Sequence, residues 1–61
     1  MSIENETLKN IKRWVEIRKV KGITQKEMSK ISGVSRSHIA NFEGLRVNNM
    51  YLYNLYHDMF D

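Results

Sequence analysis

Apolar residues recur at steps of three and four positions in four successive segments of the 61-residue chain. Such spacing places apolar side chains on one face of a helix, whereas a half-buried strand needs alternation at every second position. The predicted helices cover about residues 5–20, 24–31, 35–43 and 49–59. No proline or low-complexity run separates them, so the pattern predicts one all-α domain over residues 1–61.

Short capping signals mark where the helices begin and end. Thr24 and Glu27 have the spacing of a capping box, in which each side chain accepts a hydrogen bond from the other residue's backbone. Ser35 is a favourable N-cap for the third helix, and Asn48 or Asn49 suits the same position in the fourth. Three glycines follow helical patterns at places where a left-handed residue often ends a helix: Gly22, Gly33 and Gly44.

The second and third helices are short and closely joined. Residues 24–43 read TQKEMSKISGVSRSHIANFE, with only Ser32, Gly33 and Val34 between the two helical patterns. Two short helices joined by a three- to four-residue turn that contains glycine form a helix-turn-helix unit. In DNA-binding proteins the second helix of this unit enters the major groove.

Composition narrows the class of protein. The net charge is only +3, but residues 9–46 hold all ten basic residues and three of the seven acidic ones, a net +7. A basic centre suits a partner with a phosphate backbone, although a solvated lysine-rich surface would look the same. The absence of cysteine fits a reducing compartment, and the polar, acidic first residues do not resemble a signal peptide. No apolar run is long enough to span a membrane. We therefore expect a cytoplasmic protein that has no membrane partner.

The segment 24–43 closely resembles the helix-turn-helix of the phage lambda-type repressor and Cro family, also called XRE-like regulators. The family pattern is roughly T-Q-x-E-L-A-x-x-x-G-V-S-x-x-x-I-S-x-x-E. Eight residues match it outright: Thr24, Gln25, Glu27, Gly33, Val34, Ser35, Ile39 and Glu43. The resemblance implies a four-to-five-helix lambda-repressor-like domain whose partner is double-stranded DNA, in particular a pseudo-palindromic operator. A fifth helix, common in the family, is missing or reduced to the last two residues.

The third helix supplies the candidate base contacts. Arg36 is the first choice, because arginine pairs with two acceptor atoms of guanine, and Asn41 is suited to adenine. Ser37 and His38 share the outward face. The candidate phosphate contacts lie at the ends of the second and third helices and in the loop that follows: Gln25, Ser35, Arg46 and Asn48. The resemblance further implies that Arg18 and Glu43 form a partly buried ion pair with a structural role.

Two departures from the family lie in the part of the chain that follows the motif. Many members have glycine two positions after the glutamate, whereas here Gly44 follows Glu43 directly. The conformation of the loop at residues 44–49 is therefore expected to differ. Tyr56 takes the place of a small residue that is usual in the fourth helix, so the packing around it must also differ.

Aromatic residues and methionines are concentrated in the last eleven positions before Asp61. They are too many for a single helix to bury against so small a core. Such residues are enriched at interface centres, so we expect a homodimer on DNA.

The leading hypothesis is a Cro-like repressor that occludes a promoter. The alternative is a protein-interaction module, an antirepressor or antitoxin-like protein, with the same fold. We find no carboxylate or thiol at ligand spacing from His38 or His57, and we expect no enzyme activity, metal, cofactor or small-molecule ligand.

Overall fold

The computed structural model describes residues 2–61, and their side chains from Glu6 onward. The described residues form four helices and no strand: α1 (Ser2–Val20), α2 (Gln25–Ser32), α3 (Arg36–Glu43) and α4 (Met50–Phe60). The all-α class is therefore confirmed, and α1 begins three residues before the predicted position. No helix of the described chain is both long and apolar enough to cross a membrane.

Side-chain caps fix the first turns of the last three helices. At α2, Thr24 Oγ1 accepts from the Glu27 backbone N–H at 3.1 Å, and the Glu27 carboxylate accepts from the Thr24 N–H at 2.8 Å. Ser35 Oγ accepts from the backbone of α3, and Asn49 Oδ1 accepts from the Leu52 N–H at 3.0 Å. The capping box and the N-cap at Ser35 are thus as predicted, and Asn49 caps α4.

The turn between α2 and α3 is tied to α2 by short hydrogen bonds. Gly33 ends α2 in the left-handed conformation, with φ of 75°. The Ser29 hydroxyl donates to the Val34 carbonyl at 2.6 Å, and the Val34 N–H donates to Ser32 Oγ at 3.1 Å. These contacts hold α3 at a fixed angle to α2, which is the requirement of a helix-turn-helix unit.

The prediction for the third glycine is wrong. Gly44 has φ of −82°, an ordinary value, and the left-handed residue is Leu45, with φ of 64°. The backbone N–H of Leu45 donates to the Phe42 carbonyl, and that of Arg46 donates to the Asn41 carbonyl. The helix therefore ends with the left-handed residue where the family has its glycine, although this chain places leucine there. Leu45 packs partly against the core, which offsets the cost of its backbone conformation.

Aromatic side chains fill much of the core. The six largest fully buried side chains come from all four helices: Trp14, Tyr56, Phe42, Met28, Ile39 and Leu52. Tyr56 packs against Phe42 and Phe60, with ring centroids 5.1 and 5.6 Å apart. The core thus buries more of the aromatic residues and methionines of α4 than the sequence led us to expect. Met50 and Tyr51 are the members that stay exposed.

One buried carboxylate joins the four helices. Arg18 of α1 donates to Glu43 of α3 through Nε and Nη2, at 2.8 and 2.9 Å. The two side chains are only 6% and 5% exposed. Gln25 Nε2 of α2 donates to the same carboxylate at 3.0 Å, and the Tyr56 hydroxyl of α4 donates at 2.6 Å. The ion pair that the resemblance implied is therefore present, and it is the centre of a network that includes α2 and α4.

The Arg18 guanidinium also reaches the chain between α1 and α2. Its Nη1 donates to the Ile23 carbonyl at 2.6 Å. Each nitrogen of the guanidinium thus has an acceptor, and the Glu43 carboxylate has four donors. A buried ion pair contributes favourably only when its remaining hydrogen-bonding groups are satisfied in this way. Burial, followed by the hydrogen bond to Glu43, holds the pKa of Tyr56 well above its usual range.

Replacement of Tyr56 by phenylalanine should measure the contribution of the fourth donor. Tyr56→Phe keeps the buried ring and removes one hydrogen bond to a charged acceptor, so we expect a loss of about 1.5–3 kcal/mol in the free energy of unfolding. Tyr51→Phe is the matched control, because its hydroxyl donates to a neutral carbonyl, that of Ser32, from an exposed position. It should cost under about 1 kcal/mol. Urea unfolding of both variants tests this, and equal losses would contradict it.

Alkaline pH should act through the same hydroxyl. The pKa of Tyr56 is raised in the folded state, whereas an unfolded tyrosine titrates near 10, so the stabilisation is complete below about pH 10 and is lost above it. At about pH 11 the wild-type protein should have lost roughly 1.4 kcal/mol more than Tyr56→Phe, relative to about pH 8. Urea unfolding at the two pH values measures the difference. Equal losses in the wild type and in Tyr56→Phe would show that Tyr56 ionises as readily in the folded state as in the unfolded state.

Candidate nucleic-acid interface

The exposed N-terminal end of α3 carries the strongest candidate for base contact. Arg36 and Ser37 are exposed, directly after the N-cap Ser35. Neither side chain forms a hydrogen bond or ion pair with the described part of the chain. A guanidinium that is free, charged and fixed at the start of a capped helix has the geometry needed to approach base edges.

Asn41 lies one turn after Ser37 on the same side of α3. Its side chain is half-buried, and its backbone carbonyl is the acceptor for the Arg46 N–H at 2.9 Å. Residues four apart on a helix share a face, so Ser37 and Asn41 extend one surface along α3. Asn41 is therefore placed beside the loop as well as on the predicted reading face.

His38 is not free in the same way. Its imidazole is half-buried, and Nε2 lies 2.9 Å from Nδ2 of Asn49, the residue that caps α4. Helical periodicity could not predict this contact, because the two residues are eleven positions apart and belong to separate structural elements. The ring nitrogen farther from the main chain is thus occupied within the protein.

The predicted phosphate contacts differ in how free they are. Ser35 Oγ accepts from the His38 N–H at 3.2 Å, and its hydroxyl hydrogen is still available to a donor bond. Gln25 stands at the N-terminus of α2, but its amide donates to Glu43 and one amide hydrogen remains. Arg46 and Asn48 are both exposed in the 44–49 loop.

The two acidic residues of α2 and α3 differ in exposure. Glu43 is buried against Arg18, whereas Glu27 is exposed and its carboxylate accepts from the backbone of Thr24. Arg36 and Arg46 therefore keep their charge without a carboxylate partner among the described residues. The ion pair thus removes the only acidic side chain of α3 from the face that would meet phosphate.

Among the described residues, no group of three or more histidine or acidic side chains is arranged so that it could hold a metal ion. Contrary to the expectation from the sequence, His57 has two neighbouring carboxylates. Its Nε2 lies 3.6 Å from Asp61 and its Nδ1 lies 3.9 Å from Asp58, at the exposed C-terminal end of α4.

Comparison with known proteins bears on the same segment. Residues 16–43 match the sequence profile of the helix-turn-helix family. No curated protein and no solved structure shows significant similarity to the chain. The matched range extends from the second half of α1 to the last residue of α3, so it includes both Arg18 and Glu43 of the ion pair. Residues 16–43 are therefore a Cro/C1-type helix-turn-helix of the phage lambda-type repressor and Cro family, the DNA-binding unit of transcription regulators.

Proposed function

We propose that the protein is a sequence-specific regulator of the Cro type, which binds operator DNA through α3 and blocks access to a promoter. The observation that carries the proposal is the free, exposed Arg36 beside Ser37 on a helix whose only carboxylate is buried. In a helix-turn-helix protein this end of the second helix reaches the base edges. Arg36, Ser37 and Asn41 are the proposed reading residues.

The phosphate contacts proposed for Ser35, Arg46, Asn48 and the remaining amide hydrogen of Gln25 would orient α3 rather than select a sequence. Along the chain these groups lie at the start of α2, directly before α3 and in the loop after α3. Phosphate contacts at several separate points would fix the angle and depth at which α3 enters the groove. Arg36 then meets one base pair rather than several.

A titration of duplex DNA tests the proposal. An operator is first selected from a random pool, and affinity is then measured at two salt concentrations. A DNA reader should lose affinity steeply as salt rises, because bound phosphates release counterions. Arg36→Ala should cost about 1–3 kcal/mol and relax the preference at one base position.

Arg13→Ala is the matched control, because Arg13 lies on α1, not on α3, and its guanidinium pairs with Asp61 after the end of α4. It removes the same charge and should leave the base preference unchanged. No binding by the wild-type protein, even at low salt, would contradict the proposal and favour the protein-interaction module.

We also propose that two copies bind together on the operator. The molecule measures 32 × 21 × 17 Å, and adjacent half-sites lie about 34 Å apart, so two bound copies would be near contact. Met50 is 72% exposed and Leu8 is 40% exposed. Both line an open groove of about 570 Å³ between α1 and the start of α4. An apolar side chain at the rim of an apolar groove suits a two-fold interface, in which each copy offers the same surface.

Met50→Gln should separate binding by pairs from binding by single copies. The variant should weaken binding to a duplex with two half-sites by on the order of tenfold, because an apolar contact is lost in each copy. Affinity for a single half-site should not change. Val20→Gln is the control, since Val20 is 86% exposed at the end of α1. Equal affinities of wild type and Met50→Gln for the two-site duplex would exclude this surface.

A further inference from the structure

The contact between His38 and Asn49 has a defined direction. Asn49 Oδ1 is occupied as the N-cap acceptor for the Leu52 N–H, so the amide NH2 group is the part that faces His38. An NH2 group can only donate, and Nε2 must therefore be the acceptor. The hydrogen-bond network thus assigns a neutral His38 ring with its proton on Nδ1.

This contact closes the 44–49 loop against α3. At the start of the loop, the backbone N–H groups of Leu45 and Arg46 donate to the last turns of α3. At its end, Asn49 donates to His38, near the beginning of α3. The loop is thus anchored to α3 at both ends, at positions about one helical turn apart. Arg46 belongs to the first anchor through its backbone, and Asn48 directly precedes the second.

We propose that His38 is a positioning residue: it holds the 44–49 loop beside α3, so that Arg46 and Asn48 meet the DNA backbone in register with the base contact of Arg36. His38 itself does not read a base. This inference rests on the proposed function, and it changes the role that the sequence suggested for this histidine.

The physical reason is the use of Nε2. Nε2 is the ring nitrogen that extends farthest from the helix, and here it accepts from Asn49 in a partly buried contact. To read a base through Nε2, His38 would have to release Asn49 and leave its amide without this acceptor. As a clamp, the same hydrogen bond joins the base-reading helix to the loop proposed to contact phosphate, and such contacts set the register of a protein on the duplex.

The two roles predict different binding profiles. Affinities are measured for the selected operator and for duplexes that carry every single-base change. For a positioning role, His38→Ala should weaken binding about three- to tenfold on all sequences alike, the ratio expected for one neutral hydrogen bond. His38→Gln should restore most of this loss, because the glutamine amide oxygen can accept from Asn49 in place of Nε2. For a base contact, the loss would fall at one base position and glutamine would change the preference there.

The partner residue gives an independent test. Asn49→Ser keeps a good N-cap but removes the donor to His38, so it should reproduce the loss seen with His38→Ala. The double variant should bind no more weakly than either single variant, because each removes the same hydrogen bond. Asn54→Ser is the matched control, since Asn54 is exposed on α4. Circular dichroism of each variant, with binding measured well below its unfolding temperature, separates loss of folding from loss of register.

The imidazole nitrogens provide a readout that stability alone would not move. In the free wild-type protein at about pH 8, ¹⁵N NMR should show the His38 proton on Nδ1, and Asn49→Ser should lose this preference. A preference lost at one base position, unchanged binding by His38→Ala, or additive effects in the double variant would each overturn the proposal. Absence of DNA binding by the wild type would overturn it together with the proposed function. The NMR result would still show whether the contact exists.

Discussion

The arrangement of the four helices depends on one buried carboxylate. Glu43 loses its water on folding, and such a charge is tolerated only if enough donors replace the solvent. The replacements come from Arg18, Gln25 and Tyr56, one from each of the other helices. A packing that displaced any of these helices would leave the carboxylate short of a donor. The need for these donors therefore disfavours alternative packings of the same four helices. The apolar faces alone would be less selective, because apolar contacts have no direction.

This constraint matters more in a chain of this size. A domain near 60 residues buries a smaller share of its unfolded surface than a larger domain does, and this chain has no cysteine to form a disulfide. Large aromatic rings supply much of the buried area instead, with Trp14, Phe42 and Tyr56 fully enclosed. Burial of Trp14 has an energetic cost, because its indole N–H is buried without a hydrogen-bond partner among the described residues. Tyr56 avoids that cost because its hydroxyl ends at Glu43, so one side chain serves both the apolar core and the polar network.

The sequence predicted the local features well. The capping box, the N-cap of α3 and the turn at Gly33 depend on residues within a few positions of each other, and residue types are sufficient to recognise them. The ion pair came from resemblance to a family rather than from spacing. The contacts missed were the hydrogen bonds across the fold, those of Gln25 and Tyr56 to Glu43 and of His38 to Asn49. They depend on how helices cross, which periodicity does not encode.

Two missed features had left a trace in the sequence. A tyrosine at a position that is usually small was a sign that its hydroxyl had a buried partner, and the nearest candidate was the ion pair. The early glycine after Glu43 suggested that the family's left-handed position would move with it. The structure has the left-handed conformation at Leu45 instead, where the backbone N–H groups of Leu45 and Arg46 donate to Phe42 and Asn41 at the end of α3.

The placement of Glu43 has a consequence for which part of α3 the fold leaves open to change. Arg36 and Ser37 have no partners within the described chain, whereas Glu43, at the other end of the same helix, has four donors. Exchange of the exposed pair would therefore leave the packing of the fold intact. Under the proposed function, the base preference could then be altered at the first two residues of α3 at little risk to folding, whereas the last residue of the helix could not be exchanged in the same way.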